Sequence, residues 1–300
     1  MEDDSLIFRE LTLDSLEELY PYLTGFRGMS CDYTVGGIFM WIDYFKYKYC
    51  IYSDTLFIKC VAEDDLNRVA FAQPLGALPL VESVNLLRKF CDSRGYPLEF
   101  SAITEFELEK FIDLNPKKVT PLSAWSDYVY TMDSLQSLSG KKLGKKRNHC
   151  NRFLQENQDV VVEPISRDNI EQVKSCFENI CNMGKDSPMA MYERKQVWKV
   201  LEHLDLYPFE SLCLKSSGKV VAFTMGEVLS NVLHVHVEKS LHDVNGASET
   251  INKEFACYIH AKYPEVEWIN RQDDAGDEGL RKAKQSYYPA FLLRKYNVLF

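Results

Sequence analysis

The order of the predicted secondary structure is the feature that most limits the folds open to this chain. Hydrophobic periodicity predicts a helix, a three-stranded antiparallel meander, a helix, a strand, another helix and another strand in the first half. The second half repeats that order. Such a repeat indicates a duplicated α+β unit, in which each copy packs a mixed, mostly antiparallel sheet against flanking helices.

The repeat also sets the predicted domain boundary. In the first copy we expect helices at 14–23, 80–93 and 105–111, and strands at 47–51, 55–61, 68–73, 98–102 and 127–132. In the second copy we expect helices at 169–182, 248–263 and 278–286, and strands at 211–215, 220–228, 232–238, 266–270 and 291–296. The join lies near 133–140, which predicts an N-terminal domain over 1–135 and a C-terminal domain over 136–300.

A dense run of basic residues opens the second predicted domain. Six of the twelve residues from Lys141 to Arg152 are lysine or arginine, although the chain has a formal net charge of −9. Without these six, 29 basic residues remain against 44 acidic ones, a balance of −15. Ionic screening limits the reach of such a cluster to about 8 Å. We therefore expect it to act on an anion that docks directly against it, above all a phosphate.

Helical projection of this segment separates a basic face from an apolar one. The basic face gathers Lys141, Lys142, Lys145, His149 and Arg152, and the apolar side gathers Leu143, Cys150 and Leu154. Gly144 lowers helix propensity by about 1 kcal/mol relative to alanine, so the first turn is open to being a loop. The alternative to a binding surface is a solvated helix face whose charge is balanced by nearby acidic residues.

Composition indicates a globular protein of the cytoplasm. The nine cysteines include no CxxC pair, which is typical of reduced, buried thiols rather than a disulfide framework. The acidic N-terminus lacks the basic and apolar regions of a signal peptide. The longest uncharged stretch, 69–81, contains two prolines and is shorter than the roughly 20 apolar residues of a membrane span. Any membrane contact is therefore expected to be peripheral.

Two segments carry a resemblance to a known family. They read GKKLGKKRNHCNRF at 140–153 and NRQDDAGDEGLRKAKQSY at 270–287. Both resemble bacterial proteins grouped with the C-terminal domain of phosphatidylglycerol lysyltransferase, and the resemblance extends over most of the chain. The element order is similar to that of the GNAT acyltransferase fold, and its duplication resembles the Fem-type peptidyl transferases.

This resemblance implies two tandem GNAT-like domains that transfer an acyl or aminoacyl group to an amine or hydroxyl acceptor. It implies acyl-CoA or aminoacyl-tRNA as co-substrate, with no tightly bound cofactor. In GNAT enzymes a glycine-rich loop before a helix cradles the CoA pyrophosphate with backbone N–H groups. The matching stretch here, 242–249, retains Gly246, followed by Ala247. The alternative is a plain strand-to-helix loop capped by Ser248.

The strand before that loop offers candidate general bases. Strict alternation places His234, His236 and Glu238 on one face, where His236 or Glu238 could take a proton from the acceptor. The alternative is the ordinary polar face of an antiparallel sheet. No third ligand stands at a useful spacing from the two histidines, so we expect no metal site.

The second resembling segment supplies the remaining candidates. Asp273 and Asp274 are expected to orient a cationic acceptor as part of the catalytic set. The residues expected to bind substrate are Asn270, Arg271, Tyr287 and Tyr288. The cations expected to hold donor phosphate, besides those of the basic segment, are Arg281, Lys282 and Lys284. The alternative is an exposed loop and a helix start capped by Asp277.

Two functions remain open from the sequence. The first is an acyl- or aminoacyltransferase that uses a CoA-type nucleotide or a tRNA as donor. Because no GxSxG nucleophile elbow is present, a covalent serine mechanism is not supported. The second is a non-catalytic GNAT-like module that keeps a phosphate, CoA or RNA site. The incomplete glycine pattern at Gly246 favours this second function.

Overall fold

The computed structural model describes residues 6–183 and 187–300, which fall into two compact units. The first comprises Met1–Asp127, Asp273–Gly276 and Leu293–Phe300, and the second comprises Tyr128–Gln272 and Asp277–Leu292. Each is an α+β unit with its own sheet, as predicted. The division differs from the predicted boundary at 135, because the end of the chain returns to the first unit and pairs with its strands.

The first unit contains four α-helices among its described residues. They are α1 (Leu16–Gly25), α2 (Val35–Phe39), α3 (Leu80–Asp92) and α4 (Glu105–Ile112). The strands are β1 (Arg9–Glu10), β2 (Lys48–Tyr52), β3 (Thr55–Ala62), β4 (Asp65–Phe71), β5 (Leu75–Gly76), β6 (Glu99–Thr104), β7 (Lys118–Pro121) and the C-terminal β15 (Lys295–Leu299). The sheet has the order β1-β2-β3-β4-β6-β15-β7, and β5 pairs with β3.

The second unit begins within β8 (Asp127–Thr131). Its helices are α5 (Met132–Ser137), α6 (Gly144–Glu156), α7 (Ile170–Met183), α8 (Pro188–Glu202), α9 (Ala247–Lys262) and α10 (Glu278–Gln285). Its other strands are β9 (Val161–Pro164), β10 (Glu210–Ser216), β11 (Lys219–Leu229), β12 (Val232–Ser240), β13 (Trp268–Asn270) and β14 (Phe291–Leu293). The sheet order is β14-β8-β13-β12-β11-β10-β9, with β12 and β13 parallel.

Each unit has its own apolar core. In the first, Phe71, Phe100 and Phe111 pack with Val298 of the returning β15. In the second, side chains of α6 and α9 pack against one face of the sheet, and Phe153, Leu233 and Ile251 are typical members. Seven of the nine cysteines are buried and all nine are free, which confirms the predicted thiol pattern. No helix among the described residues has the length and apolarity needed to cross a membrane.

Candidate functional site

A β-bulge in β12 decides where the polar residues of that strand point. The pairing of β11 with β12 shifts between Met225 and Gly226, so His236 is an extra residue without a direct partner. Only glycine fits at 226, because a Cβ there would lie 2.4 Å from the carbonyl oxygen of His234. A bulge shifts the alternation of the strand by one residue.

The bulge therefore sends Glu238 to the opposite face from His234. Glu238 points toward α9, where its Oε2 accepts a hydrogen bond of 2.9 Å from Asn252 Nδ2. His236 instead contacts Glu227, whose cross-strand partner is His234. The prediction that His234, His236 and Glu238 share one face was wrong, because strict alternation does not hold through a bulge.

His236 is held on both ring nitrogens. Its Nδ1 accepts from Gln272 Nε2 at 2.8 Å, and its Nε2 donates to Glu227 Oε1 at 3.1 Å. The ring also stacks on Phe209, with centroids 5.2 Å apart, and the side chain is only 1% exposed. Gln272 adopts the left-handed conformation, at a φ of 59°. In this arrangement His236 fixes the end of the β13 strand and has no ring nitrogen left to accept a proton.

Glu238 and Arg271 form the central ion pair of the second unit. Arg271 Nη2 lies 2.8 Å from Glu238 Oε1, and the two side chains are 12% and 13% exposed. Burial opposes the charge, yet the attraction of Glu238 raises the pKa of Arg271. The Nη1 atom of Arg271 is buried and has no hydrogen-bond acceptor among the described residues. The pair thus holds a charged donor in place, and the guanidinium also hydrogen-bonds to Tyr130.

Two tyrosine rings enclose the guanidinium. The Cζ atom of Arg271 lies 4.7 Å from the ring centre of Tyr287 and 5.8 Å from that of Tyr130. Burial raises the pKa of Tyr287 well above its usual value, so this phenol stays neutral. The Tyr130 hydroxyl donates to the carbonyl of Lys284 at 2.7 Å. Contact with both rings restricts the movement of the guanidinium and helps to fix its orientation.

The basic segment adjoins this cluster through Lys146. Its Nζ lies 4.3 Å from the centre of the Tyr287 ring and 3.2 Å from Glu249 Oε1. His149 Nδ1 is 3.1 Å from the same carboxylate oxygen. Although burial opposes ionisation of Glu249, the charge of Lys146 and the hydrogen bond to His149 lower its pKa. Lys146, which the sequence did not single out, therefore ties α6 to both α9 and the arginine site.

Most of the other cations of the basic segment face solvent, whereas Arg147 donates to the Leu138 carbonyl at 2.6 Å. The helix starts at Gly144, and residues 140–143 form turns, as the glycine suggested. Lys141, Lys145 and Arg152 are exposed, and Arg152 pairs with Glu156 at 2.7 Å in an ion pair that is itself exposed. Surface pairs of this kind contribute little to stability, so Arg152 remains available to another anion. Leu143 and Cys150 are buried as predicted, whereas Leu154 is 40% exposed.

The loop before α9 packs against the basic helix. Gly246 has a φ of +87°, and a Cβ there would lie 2.6 Å from the His149 carbonyl oxygen. Ala247 is fully buried, and its backbone N–H donates to Val244 at 3.3 Å. Glu249 places a carboxylate in the first turn of the helix. This packing argues against the predicted pyrophosphate site at Gly246 and Ala247.

We expect Gly246→Ala to lower the free energy of unfolding by about 1–3 kcal/mol, through backbone strain and the clash with His149. Gly140→Ala is the matched control, since Gly140 has a φ of +80° but no atom within 4 Å of an added Cβ. Urea unfolding of both variants separates strain from close packing. An equal loss of unfolding free energy in the two variants would show that close packing of the loop against α6 adds nothing to the effect of backbone strain.

The second resembling segment is divided between the two units. Asp273 and Asp274 belong to the first, where their Oδ1 atoms accept from the backbone N–H groups of Ala275 and Gly276. In the second unit, Asn270 is fully buried and its Oδ1 accepts from the Gln272 N–H at 2.7 Å. These three side chains shape the backbone after β13.

The cations of α10 lie at the surface. Lys282 is 3.8 Å from Glu278, and both are about four-fifths exposed. Lys284 lies 5.8 Å from the Tyr128 ring, and Arg281 is partly exposed. The helix starts at the predicted cap, where Asp277 Oδ1 accepts from Leu280 N–H at 2.8 Å. Tyr288 is half exposed, 5.4 Å from Lys142, whereas Tyr287 is buried.

The structure thus brings together only part of the predicted site. Three candidates meet in one cluster of the second unit: Glu238, Arg271 and Tyr287. His236 lies on the other face of β12, against Glu227. The partners that sequence reasoning missed are Asn252, Tyr130 and Lys146 for the cluster, and Glu227 and Gln272 for His236. Gln272 stands inside the recognised segment and carried a signal by its position. Asn252 and Glu227 become partners only through pairing between distant elements.

One cluster in the first unit has the composition of a metal site. The ligand atoms of Cys31, Asp127 and Asp273 lie within 4.8 Å of one another. The ammonium of Lys295 is 2.8 Å from Asp127 Oδ1 and 3.8 Å from Cys31 Sγ. A lysine therefore supplies the positive charge at this place.

Comparison with known proteins agrees with this geometry. Residues 26–299 match the model of the family described as phosphatidylglycerol lysyltransferase, C-terminal. The chain belongs to this family. This is the family that the two resembling segments implied.

Several solved structures share the fold with this lysyltransferase-family chain. A conserved protein of unknown function from Bacteroides thetaiotaomicron is 28% identical, with a TM-score of 0.86 over 98% of this chain and 99% of that one. L-PGS from Bacillus licheniformis is 16% identical, with a TM-score of 0.60 over 84% and 83% of the two chains. FemX is 7% identical, with a TM-score of 0.63 over 98% of each chain. These last two likenesses show the fold alone.

A relative is also found by sequence. An uncharacterized protein of Mycoplasmoides gallisepticum is 23% identical over 175 residues, which are 58% of this chain. The match spans about 56% of that protein's length.

Proposed function

We propose that the second unit transfers an aminoacyl group from aminoacyl-tRNA to an amine or hydroxyl acceptor. The observation that carries the proposal is the unused Nη1 of Arg271, buried and held in one orientation by Glu238 and Tyr287. A fixed donor of this kind can bond to the negative oxygen that develops when an acyl group is attacked.

The chemistry needs no covalent enzyme intermediate. The acceptor oxygen or nitrogen forms a bond to the ester carbonyl carbon, and the bond from that carbon to the ribose oxygen breaks. The acceptor loses a proton, and the departing ribose oxygen gains one, so the protons balance. Both carboxylate oxygens of Glu238 are hydrogen-bonded, to Arg271 and to Asn252. Its role in this scheme is to position Arg271, which lowers the barrier by stabilising the carbonyl oxygen.

Two features favour a tRNA donor over acyl-CoA. The loop at Gly246, where a CoA pyrophosphate was predicted to bind, packs against α6. The exposed cations Lys141, Lys145 and Arg152 extend along the basic segment, as a phosphate backbone requires. Lys146 links this segment to the Tyr287 ring, so a donor on the helix would bring its reactive end toward Arg271. The family description makes phosphatidylglycerol the first acceptor to test.

Reversal of two exposed charges tests the role of the helix. We expect Lys145→Glu with Arg152→Glu to weaken tRNA binding and to reduce the slope of log K against log salt by about 2, one for each lost phosphate contact. The matched control, Arg167→Glu with Lys195→Glu, makes the same charge change at exposed positions elsewhere in the second unit. Fluorescence anisotropy with labelled bulk tRNA at several salt concentrations measures both.

Equal weakening in the two double variants would indicate a general charge effect and remove the basic helix from the proposal. Undiminished binding in the helix variant would have the same consequence. Binding that depends on the helix, without release of amino acid from charged tRNA, would favour the second function, a binding module that has lost turnover.

A further inference from the structure

The first unit contains a cavity that the proposed transferase chemistry does not use. Strands β3 and β6 and the segment before α2 surround it, and the lining includes Tyr33, Phe45, Tyr47, Asp32, Glu63 and Ser101. The cavity volume is about 20 Å³. The empty space that includes the opening to solvent is larger, about 360 Å³. The occupant must therefore be a small group.

Besides aliphatic residues such as Ile38 and Ile58, two kinds of side chain that attract cations line this space. Tyr33, Phe45 and Tyr47 supply aromatic rings, with the centroids of Phe45 and Tyr47 5.7 Å apart. Asp32 and Glu63 supply carboxylates. Aromatic faces and carboxylates both attract cations, and together they recognise small organic ammonium groups.

Glu63 is the unsatisfied member of this lining. Its Oε2 atom is buried and has no hydrogen-bond partner among the described residues. Asp32, by contrast, already bonds to the Lys295 ammonium at 2.7 Å and to the Ser30 hydroxyl at 2.6 Å. A buried acceptor without a partner costs free energy, and a donor that enters the cavity recovers it.

The surrounding charge is short of cations. The pKa of Glu63 is shifted by the charges of Asp32, Asp127, Asp273 and Lys295. The charge of Glu63 in turn affects the pKa values of Tyr47 and Cys60. Three other carboxylates thus face a single ammonium. Burial, followed by the charge of Asp32, raises the pKa of Glu63 well above its usual value. Burial in the empty cavity therefore favours the neutral form of Glu63, and an added cation would favour the ionised form.

We propose that this cavity binds a primary alkylammonium group, whose N–H bonds go to Glu63 and whose first carbons pack on Tyr33, Phe45 and Tyr47. The ligand is either a free alkylamine or the amine at the end of a larger molecule such as an amino-acid side chain. The small free volume admits one ammonium and the adjoining carbon, and it excludes a quaternary trimethylammonium head. This site is independent of the proposed transfer reaction.

Thermal unfolding of the wild-type chain with four solutes tests the proposal. Methylammonium chloride is compared with sodium chloride and tetramethylammonium chloride at equal ionic strength, and with methanol as the neutral molecule of similar size. We expect a saturable rise in unfolding temperature with methylammonium alone. Lysine amide then distinguishes the sources: a comparable shift indicates that an amine on a longer chain enters, and no shift restricts the site to free small amines.

The Glu63→Gln variant tests whether Glu63 binds the cation and whether Glu63 loses a proton on binding. We expect at least tenfold weaker methylammonium binding in this near-isosteric variant, with an unfolding temperature close to that of the wild type, because burial already disfavours the charge of Glu63 in the empty cavity. In the wild type, binding should tighten up to tenfold per pH unit as pH rises, until Glu63 is already ionised when empty. The variant should lose this dependence.

Equal shifts for methylammonium, sodium and methanol would overturn the proposal and leave the cavity to water. Methylammonium binding that Glu63→Gln leaves unchanged in strength and in pH dependence would overturn it as well, since the cation would then lie elsewhere.

Discussion

Replacing Arg271 by lysine is expected to slow release of amino acid from charged tRNA about 10²–10³-fold, the effect of losing one oxyanion donor. Lysine keeps the charge beside Glu238 but lacks the second N–H edge that Nη1 provides. The measurement is the loss of labelled amino acid from bulk charged tRNA, with hydroxylamine as a small surrogate acceptor and the uncatalysed rate subtracted.

Two controls make this result specific. Arg167→Lys makes the same substitution at an exposed position of the second unit and should leave the rate unchanged. Binding of tRNA to the Arg271→Lys variant should stay near the wild-type value, because the exposed cations of α6 are intact. A wild-type rate in Arg271→Lys would show that Nη1 does not act on the reacting oxygen.

Replacing Lys295 by methionine is expected to lower the free energy of unfolding by about 3–5 kcal/mol. Lys295 and Asp127 are both fully buried, 2.8 Å apart, and Lys295 also bonds to Asp32 at 2.7 Å. Without the ammonium, Asp127 and Asp32 lose the buried positive charge that they share. Urea unfolding at neutral pH measures the loss, and Lys118→Met at an exposed position of the same sheet is the control.

The pH dependence of that loss has a definite sign. Burial disfavours the charge of Lys295, but Asp127 and Asp32 raise its pKa well above the usual value. A raised lysine pKa contributes stability that is present in full below about pH 10.4, the unfolded value, and is lost as pH rises through the folded value. The deficit of Lys295→Met should also shrink in acid, where protonation removes the buried negative charge. A deficit that is the same at every pH would contradict this account.

Local pattern in the sequence predicted most of the secondary structure. The three-stranded meanders appear in both units, because alternation in a half-buried strand is a local property. Helix α8 was not predicted, although Ser187 before Pro188 is a recognisable helix start, and Ser187 Oγ accepts from the Ala190 N–H.

Other features depended on contacts between distant residues. Strand β15 was expected in the second domain, but it pairs with β6 and β7 of the first unit. The bulge at His236 places Glu238 on the face of the sheet opposite to the predicted one. Gly226 on the partner strand is the one feature of the sequence that marks this bulge. The basic segment was recognised by charge alone, which could not separate the engaged Lys146 from the exposed Lys145.

The identity of the donor is the most direct test of the account. Wild-type protein is titrated with fluorescent bulk tRNA and, separately, with acetyl-CoA, each at low and moderate salt. The account predicts saturable tRNA binding that weakens steeply as salt rises, and no saturable binding of acetyl-CoA. Saturable acetyl-CoA binding without binding of tRNA would contradict it, because the loop at Gly246 would then have to open for a pyrophosphate.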